Sequence, residues 1–183
     1  ANCLAIDAGL GDEKTLQMTV EKYADRELFD TGIVATDVLP RILFESGNAQ
    51  VAFDLMNSRK LPSFGYMMEH GATTLWEDWL PERSLNHPMF GALTRYLFTY
   101  LLGISQTKDS AGFEQIVIKP CLVNGMNTAS GYITTAVGKI SVAYEKAGDK
   151  VNFNVVLPEN SSAEFICGEF KKNLNGGRHI FSI

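Results

Sequence analysis

The sequence predicts a chain of two parts, with helices first and an antiparallel β-sandwich second. Up to about residue 103, apolar residues recur at spacings of three and four, which is typical of helices with one buried face. After Lys108 the spacing changes to two, which indicates half-buried strands. The 183 residues are 45% hydrophobic, enough for one domain or two small ones. We place the boundary near residues 105–112 and expect domains at 1–108 and 109–183.

The first part contains residues that commonly begin or end helices. Asp12 precedes one predicted helix, and Thr36 stands at the start of a second. Gly47 can end that helix in the left-handed conformation, and Asn48 can cap the next. The apolar positions of these three helices are Leu16, Val20 and Tyr23, then Val38, Leu39, Ile42 and Leu43, then Val51, Leu55 and Met56.

Residues 61–80 lack helical spacing and are rich in glycine and aromatic side chains, so we predict a loop with short strands at most. The next helix is predicted with Asn86 as its cap, Pro88 in its first turn and Gly103 at its end. Its apolar positions are Phe90, Leu93, Leu97, Tyr100 and Leu101.

The second part alternates apolar and polar residues in several short runs. A hairpin turn is predicted at residues 147–149, and antiparallel strands at such short spacing favour a sandwich. The inward positions are Ile116 and Ile118, then Ile140, Val142 and Tyr144, then Val151, Phe153, Val155 and Leu157, then Ala163, Phe165 and Cys167.

Composition argues against several classes of function. The net charge is −5, and Lys and Arg form no basic block, so a nucleic-acid surface is not expected. No apolar run reaches the roughly 20 residues that span a bilayer, and residues 1–10 do not resemble a signal peptide. We expect no membrane partner, while cytoplasmic, periplasmic and secreted locations stay open. The apolar opening of the chain leads us to expect an upstream region.

The three cysteines, Cys3, Cys121 and Cys167, are an odd number at wide spacing. Neither a disulfide framework nor a zinc site of two close cysteines is indicated. We therefore expect small buried apolar residues, and we predict no metal and no cofactor.

The candidate site is the run Trp76, Glu77, Asp78 and Trp79, followed by His87. Indole faces suit the apolar face of a pyranose, and carboxylates and imidazole can bind its hydroxyls. The alternative is that both tryptophans belong to the core, both carboxylates are solvated, and His87 only begins a helix. The spacing alone favours this alternative.

Longer sequence motifs favour a functional site over this alternative. The chain resembles glycoside hydrolase family 78, the α-L-rhamnosidases. The motifs that carry the resemblance lie at residues 31–36, 62–67, 70–77, 84–87, 90–92, 116–120, 131–132 and 138–140. The resemblance implies the last part of an (α/α)6 toroid followed by a β-sandwich. It also implies hydrolysis of terminal α-L-rhamnosides with inversion, which needs one acidic and one basic carboxyl group.

The resemblance implies roles for particular residues. Glu77 matches the family's general base, His87 matches a residue that binds rhamnose, and Trp76 and Trp79 would wall the pocket. The family often has Arg or a similar residue where this chain has Asp78. We interpret Asp78 as a solvated residue or one that supports the catalytic residues from behind, rather than as catalytic. The family's general acid lies upstream, and no such motif occurs in residues 1–59. We therefore expect a fragment that is inactive alone.

Two other functions stay open. One is a non-catalytic carbohydrate-binding or structural module, and the other is a hydrolase of a different sugar on the same toroid. The expected partner is a rhamnose-containing oligosaccharide or glycoside. An incomplete toroid would also expose apolar helix faces, such as the stripe around Leu97 and Leu101, and self-associate through them.

Overall fold

The computed structural model describes residues 2–183, and contacts divide the chain into two compact units, one ending at Thr94 and one of Arg95–Ile183. The predicted order, helices and then sheet, is confirmed. The proposed domain boundary at 108/109 stays a prediction. None of the described helices is long and apolar enough to cross a membrane.

Five α-helices and a 3₁₀ helix make up the first unit. They are α1 (Asn2–Asp7), α2 (Glu13–Arg26), α3 (Ile33–Glu45), α4 (Ala49–Asn57), α5 (Phe64–Glu69) and the 3₁₀ helix Pro88–Leu93. Asp12 caps α2 as predicted, because its carboxylate accepts the Thr15 N–H at 2.8 Å. Gly47, at φ 81°, follows the end of α3 as predicted. Asn48 begins α4 without a side-chain capping bond.

Two helix starts differ from the prediction. α3 begins at Ile33, with Gly32 as its N-cap, so Thr36 lies inside the helix and is buried. The stretch predicted as a loop contains α5, because the Ser63 hydroxyl accepts the Tyr66 N–H at 3.0 Å and starts a helix there. Gly65 suits this helix since a Cβ atom would lie 2.4 Å from the Ser58 carbonyl oxygen.

The helical run before Gly103 is confirmed, but its hydrogen bonding changes along its length. It is a 3₁₀ helix at Pro88–Leu93, an α-helix at Thr94–Tyr96 and a π-helix at Leu97–Leu101. Apolar spacing alone does not separate these three helix types. The N-cap is His87, one residue later than the predicted Asn86.

After the helical residues 95–101, the second unit is one curled sheet of six strands. They are β1 (Ile104–Gln106), β2 (Gln115–Ile118), β3 (Thr128–Thr135), β4 (Gly138–Ala147), β5 (Lys150–Cys167) and β6 (Phe170–Ser182). Its order is β1-β2-β5-β4-β3, and β6 also pairs with β5. The hairpin between β4 and β5 is confirmed. The two apolar runs that follow it belong to the single long strand β5.

The long strand β5 organises this sheet. Its first half pairs with β4 and its second half with β2, and its pairing with β6 shifts register between Leu157 and Ser162. The β2–β5 pair is parallel, which differs from the wholly antiparallel prediction. Parallel pairing needs a long connection, here the β3–β4 hairpin, and strand periodicity does not reveal it. The apolar core lies inside the curl and includes Ile118, Ile140, Val155 and Phe165.

Two predictions about buried and exposed apolar residues need correction. Leu101, expected on an exposed stripe, is buried, whereas Leu97 is exposed. The helix end packs closely on β3, since a Cβ atom on Gly131 would lie 2.6 Å from Leu102 Cδ1. Of the cysteines, Cys3 is buried as predicted, whereas Cys121 and Cys167 are half-buried.

Candidate active site

An open cleft of about 540 Å³ lies in the helical unit. Residues 31–35 form one wall, and the loop that carries Glu77, Asp78, Trp79 and Arg83 forms another. The first wall is the start of α3 and the two residues before it, and apart from Thr31 it carries no polar side chain. The cleft is therefore apolar at one side and charged at the other.

The loop that brings the charges is held by its own backbone. The N–H of Glu77 donates to the Ser84 carbonyl at 2.8 Å, and the N–H of His87 donates to the Leu75 carbonyl at 2.7 Å. These two bonds pair the arms of the loop in an antiparallel manner. Glu77 therefore stands opposite Ser84, with Arg83 next to it.

Trp79 joins this loop to the other wall. Its indole N–H donates to the Thr31 carbonyl oxygen at 2.9 Å. The ring stacks on Phe29 and Phe90, with centroids 5.4 and 4.4 Å away, and meets Phe64 edge-on. Only 8% of Trp79 is exposed, so most of the ring serves packing and a small part reaches the cleft.

Glu77 presents its carboxylate at the charged side of the cleft. Its side chain is 31% exposed, and its Oε2 atom accepts the Ser84 N–H at 3.3 Å. Arg83 places Nη1 3.9 Å from Glu77 Oε1 and Nε 3.9 Å from Asp78 Oδ2. Asp78 also accepts the N–H of Trp79 at 2.7 Å. One guanidinium thus lies between two carboxylates.

The structure separates the four predicted site residues into two groups. Glu77 and Trp79 line the cleft, whereas Trp76 and His87 are not among its lining residues. Trp76 is buried at 4% exposure, and His87 is half-buried at the end of the same loop. Asp78 is 54% exposed, as predicted for a solvated residue, but it also lines the cleft.

Sequence reasoning missed Arg83. It is the single Lys or Arg between Lys60 and Arg95, and it stands six residues after Glu77. An isolated cation in a loop that already carries two adjacent carboxylates was the available signal. The pairing itself depends on how the loop folds back on itself.

The chemistry available in this cleft is that of a carboxylate base. Glu77 is half-buried and keeps lone pairs free, so it can accept a proton from water. Glu77 and Asp78 are chain neighbours on one side of the cleft. In residues 2–183, no group of three or more His, Cys, Asp or Glu side chains could hold a metal ion.

Comparisons with known proteins identify the same family for the helical part and the sheet part of the chain. Residues 1–101 match the bacterial alpha-L-rhamnosidase 6 hairpin glycosidase domain, and residues 103–180 match the bacterial alpha-L-rhamnosidase C-terminal domain. An alpha-L-rhamnosidase of Alteromonas sp. (strain LOR) is 33% identical over 164 residues, which are 84% of this chain and 18% of that protein.

Solved structures of alpha-L-rhamnosidases share the fold. The one from Dictyoglumus thermophilum has a TM-score of 0.88 and 26% identity over 99% of this chain and 25% of that chain. The one from Streptomyces avermitilis, complexed with L-rhamnose, also has a TM-score of 0.88, at 21% identity over 100% of this chain and 21% of that chain. This chain spans about a fifth to a quarter of these relatives. It belongs to the bacterial alpha-L-rhamnosidase family and carries parts of that family's six-hairpin and C-terminal domains.

Proposed function

We propose that this chain is part of an inverting glycosidase that hydrolyses terminal α-L-rhamnosides, with Glu77 as the general base. The observation that carries the proposal is the position of the Glu77 carboxylate. It lines the cleft and is oriented by the Ser84 N–H, in a domain that matches the family's catalytic model. The L-rhamnose complex of the Streptomyces avermitilis relative supports the choice of sugar.

The base would act on water at the face of the sugar opposite the leaving group. Glu77 accepts a proton from that water as it attacks the anomeric carbon, and a separate acid protonates the departing oxygen. In inverting enzymes the two carboxyl groups stand roughly 6.5 to 9.5 Å apart with the sugar between them. Asp78 is unsuited to be the acid, because it adjoins Glu77 and is bound to the Trp79 N–H. Among the described residues that line the cleft, Glu77 and Asp78 are the only carboxylates. We therefore place the acid outside this chain and expect the chain alone to be inactive.

The remaining predicted residues take supporting roles in this proposal. Trp79 holds the loop against the start of α3 through its bond to Thr31, and its exposed edge contacts the sugar. His87 binds a sugar hydroxyl, and Trp76 supports the loop from the buried side. Neither residue is among those that line the cleft.

The test uses the full-length protein that carries this chain and a chromogenic α-L-rhamnoside. Glu77→Gln keeps the size of the side chain and removes the base, so we expect kcat to fall by about 10²- to 10⁴-fold. Asp78→Asn, at the neighbouring exposed carboxylate, is the matched control and keeps most of the activity. NMR of the wild-type reaction should show β-L-rhamnose first. Full activity of Glu77→Gln, or release of the α anomer first, contradicts the proposal.

A further inference from the structure

Arg83 lies beside the carboxylates of Glu77 and Asp78 at the charged side of the cleft. Building on the proposed function, we propose that Arg83 is a positioning residue: its charge offsets that of Asp78 and holds the Glu77 carboxylate facing the water it deprotonates. Its guanidinium lies 3.9 Å from an oxygen of each carboxylate, and all three side chains line the cleft. No other Lys or Arg lies between Lys60 and Arg95 in the sequence.

Two adjacent carboxylates line the same cleft, and this cation reduces the repulsion between them. Like charges repel each other, so without a cation the carboxylates of Glu77 and Asp78 would turn apart. That change removes the correctly oriented base. At 3.9 Å in a water-like dielectric, one unit charge changes an equilibrium by about sixfold. The effect expected of Arg83 is therefore modest, and its 66% exposure keeps it at that level.

The distance between Arg83 and Glu77 also explains how the Glu77 carboxylate stays available to water. A separation of 3.9 Å is too long for a hydrogen bond, so Arg83 occupies no lone pair of Glu77 Oε1. Oε2 uses one lone pair for the Ser84 N–H at 3.3 Å. Both oxygens can therefore still accept a hydrogen bond from water. Arg83 acts through its charge and leaves lone pairs on both oxygens available to water.

Backbone pairing places Arg83 independently of its ion pairs. The N–H of Glu77 donates to the carbonyl of Ser84, and the N–H of Ser84 donates to the carboxylate of Glu77. Residue 83 is thus held beside residue 77 by main-chain geometry. Replacing the guanidinium should remove the charge and leave the loop where it is.

The test compares three variants in the full-length protein. For Arg83→Gln we expect kcat to fall about three- to sixfold with KM changed less than about twofold. Arg83→Lys restores a cation and should recover at least about half of the wild-type kcat. Arg59→Gln is the matched control, since Arg59 is 76% exposed, pairs with Glu69 and is not a cleft residue; its kcat should equal that of the wild type.

Each contrary result has a distinct meaning. Wild-type kcat in Arg83→Gln overturns the inference, and so does a rise in KM at unchanged kcat, which would make Arg83 a substrate-binding residue. A clear drop in the unfolding midpoint of Arg83→Gln overturns the claim that the backbone holds the loop. If the wild type has no rhamnosidase activity, or Glu77→Gln is fully active, the proposed function itself fails. That failure is recognisable without the Arg83 variants.

Discussion

Replacement of Trp79 tests whether this ring is mainly a structural anchor or mainly a wall for the sugar. The ring is 8% exposed, packs on three phenylalanine rings and donates one hydrogen bond to Thr31. Trp79→Ala removes both the packing and the bond, and truncation of a buried aromatic ring to alanine costs about 3–5 kcal/mol. Trp79→Phe keeps most of the ring packing, and leaving the Thr31 carbonyl unpaired costs about 1–3 kcal/mol.

The chain provides its own probe for this measurement. It contains two tryptophans, Trp76 and Trp79, and both lie in the helical unit. Trp76 fluorescence therefore follows urea unfolding of that unit in either Trp79 variant, without interference from the sheet unit. We expect the free energy of unfolding to fall in the order wild type, Trp79→Phe, Trp79→Ala.

The control is Leu80→Ala in the same loop, where the leucine is 37% exposed. Its unfolding free energy should stay within about 0.5 kcal/mol of the wild type, as for other exposed positions. If Trp79→Ala costs less than about 1 kcal/mol, the ring does not hold the two walls of the cleft together. The assignment of Trp79 to packing would then be wrong.

Two further predictions concern groups with shifted pKa values. Burial opposes ionisation of Asp30, but hydrogen bonds from Lys22 and Tyr23 outweigh it and lower the Asp30 pKa. This stabilisation is complete above the unfolded pKa of about 3.9 and is lost as pH falls through the folded value. Asp30→Asn should therefore lower the free energy of unfolding by about 1–2 kcal/mol at pH 7, and by little at pH 2, in urea titrations at both pH values; an equal loss at both would refute this. Burial raises the pKa of the thiols of Cys121 and Cys167, so iodoacetamide at pH 8 should label both more than about tenfold more slowly in the folded chain than in urea, as followed by peptide mass spectrometry; equal rates would contradict it.

The elements of this fold that sequence patterns predict are local ones. Apolar spacing located α2, α3 and α4 and the strands β2, β4 and β5, because burial of one face requires that spacing in each element. It did not mark β1, β3 or β6. Asp12 as a cap and Gly47 in the left-handed conformation were also predictable, since each depends on the chain within a few residues of it. The pattern was less informative where a single side chain such as Ser63 started a helix.

Relations between distant segments were beyond these patterns. The parallel pairing of β2 with β5 and the register shift between Leu157 and Ser162 depend on how long-range strand pairs share one core. At the cleft, the sequence indicated Glu77 through its aromatic neighbours and through the motifs shared with the family. The bond from Trp79 to Thr31 joins residues 48 positions apart, and the place of Arg83 follows from a loop pairing back on itself. A one-dimensional pattern records which residues are buried, whereas packing in three dimensions selects the partner of each buried or charged group.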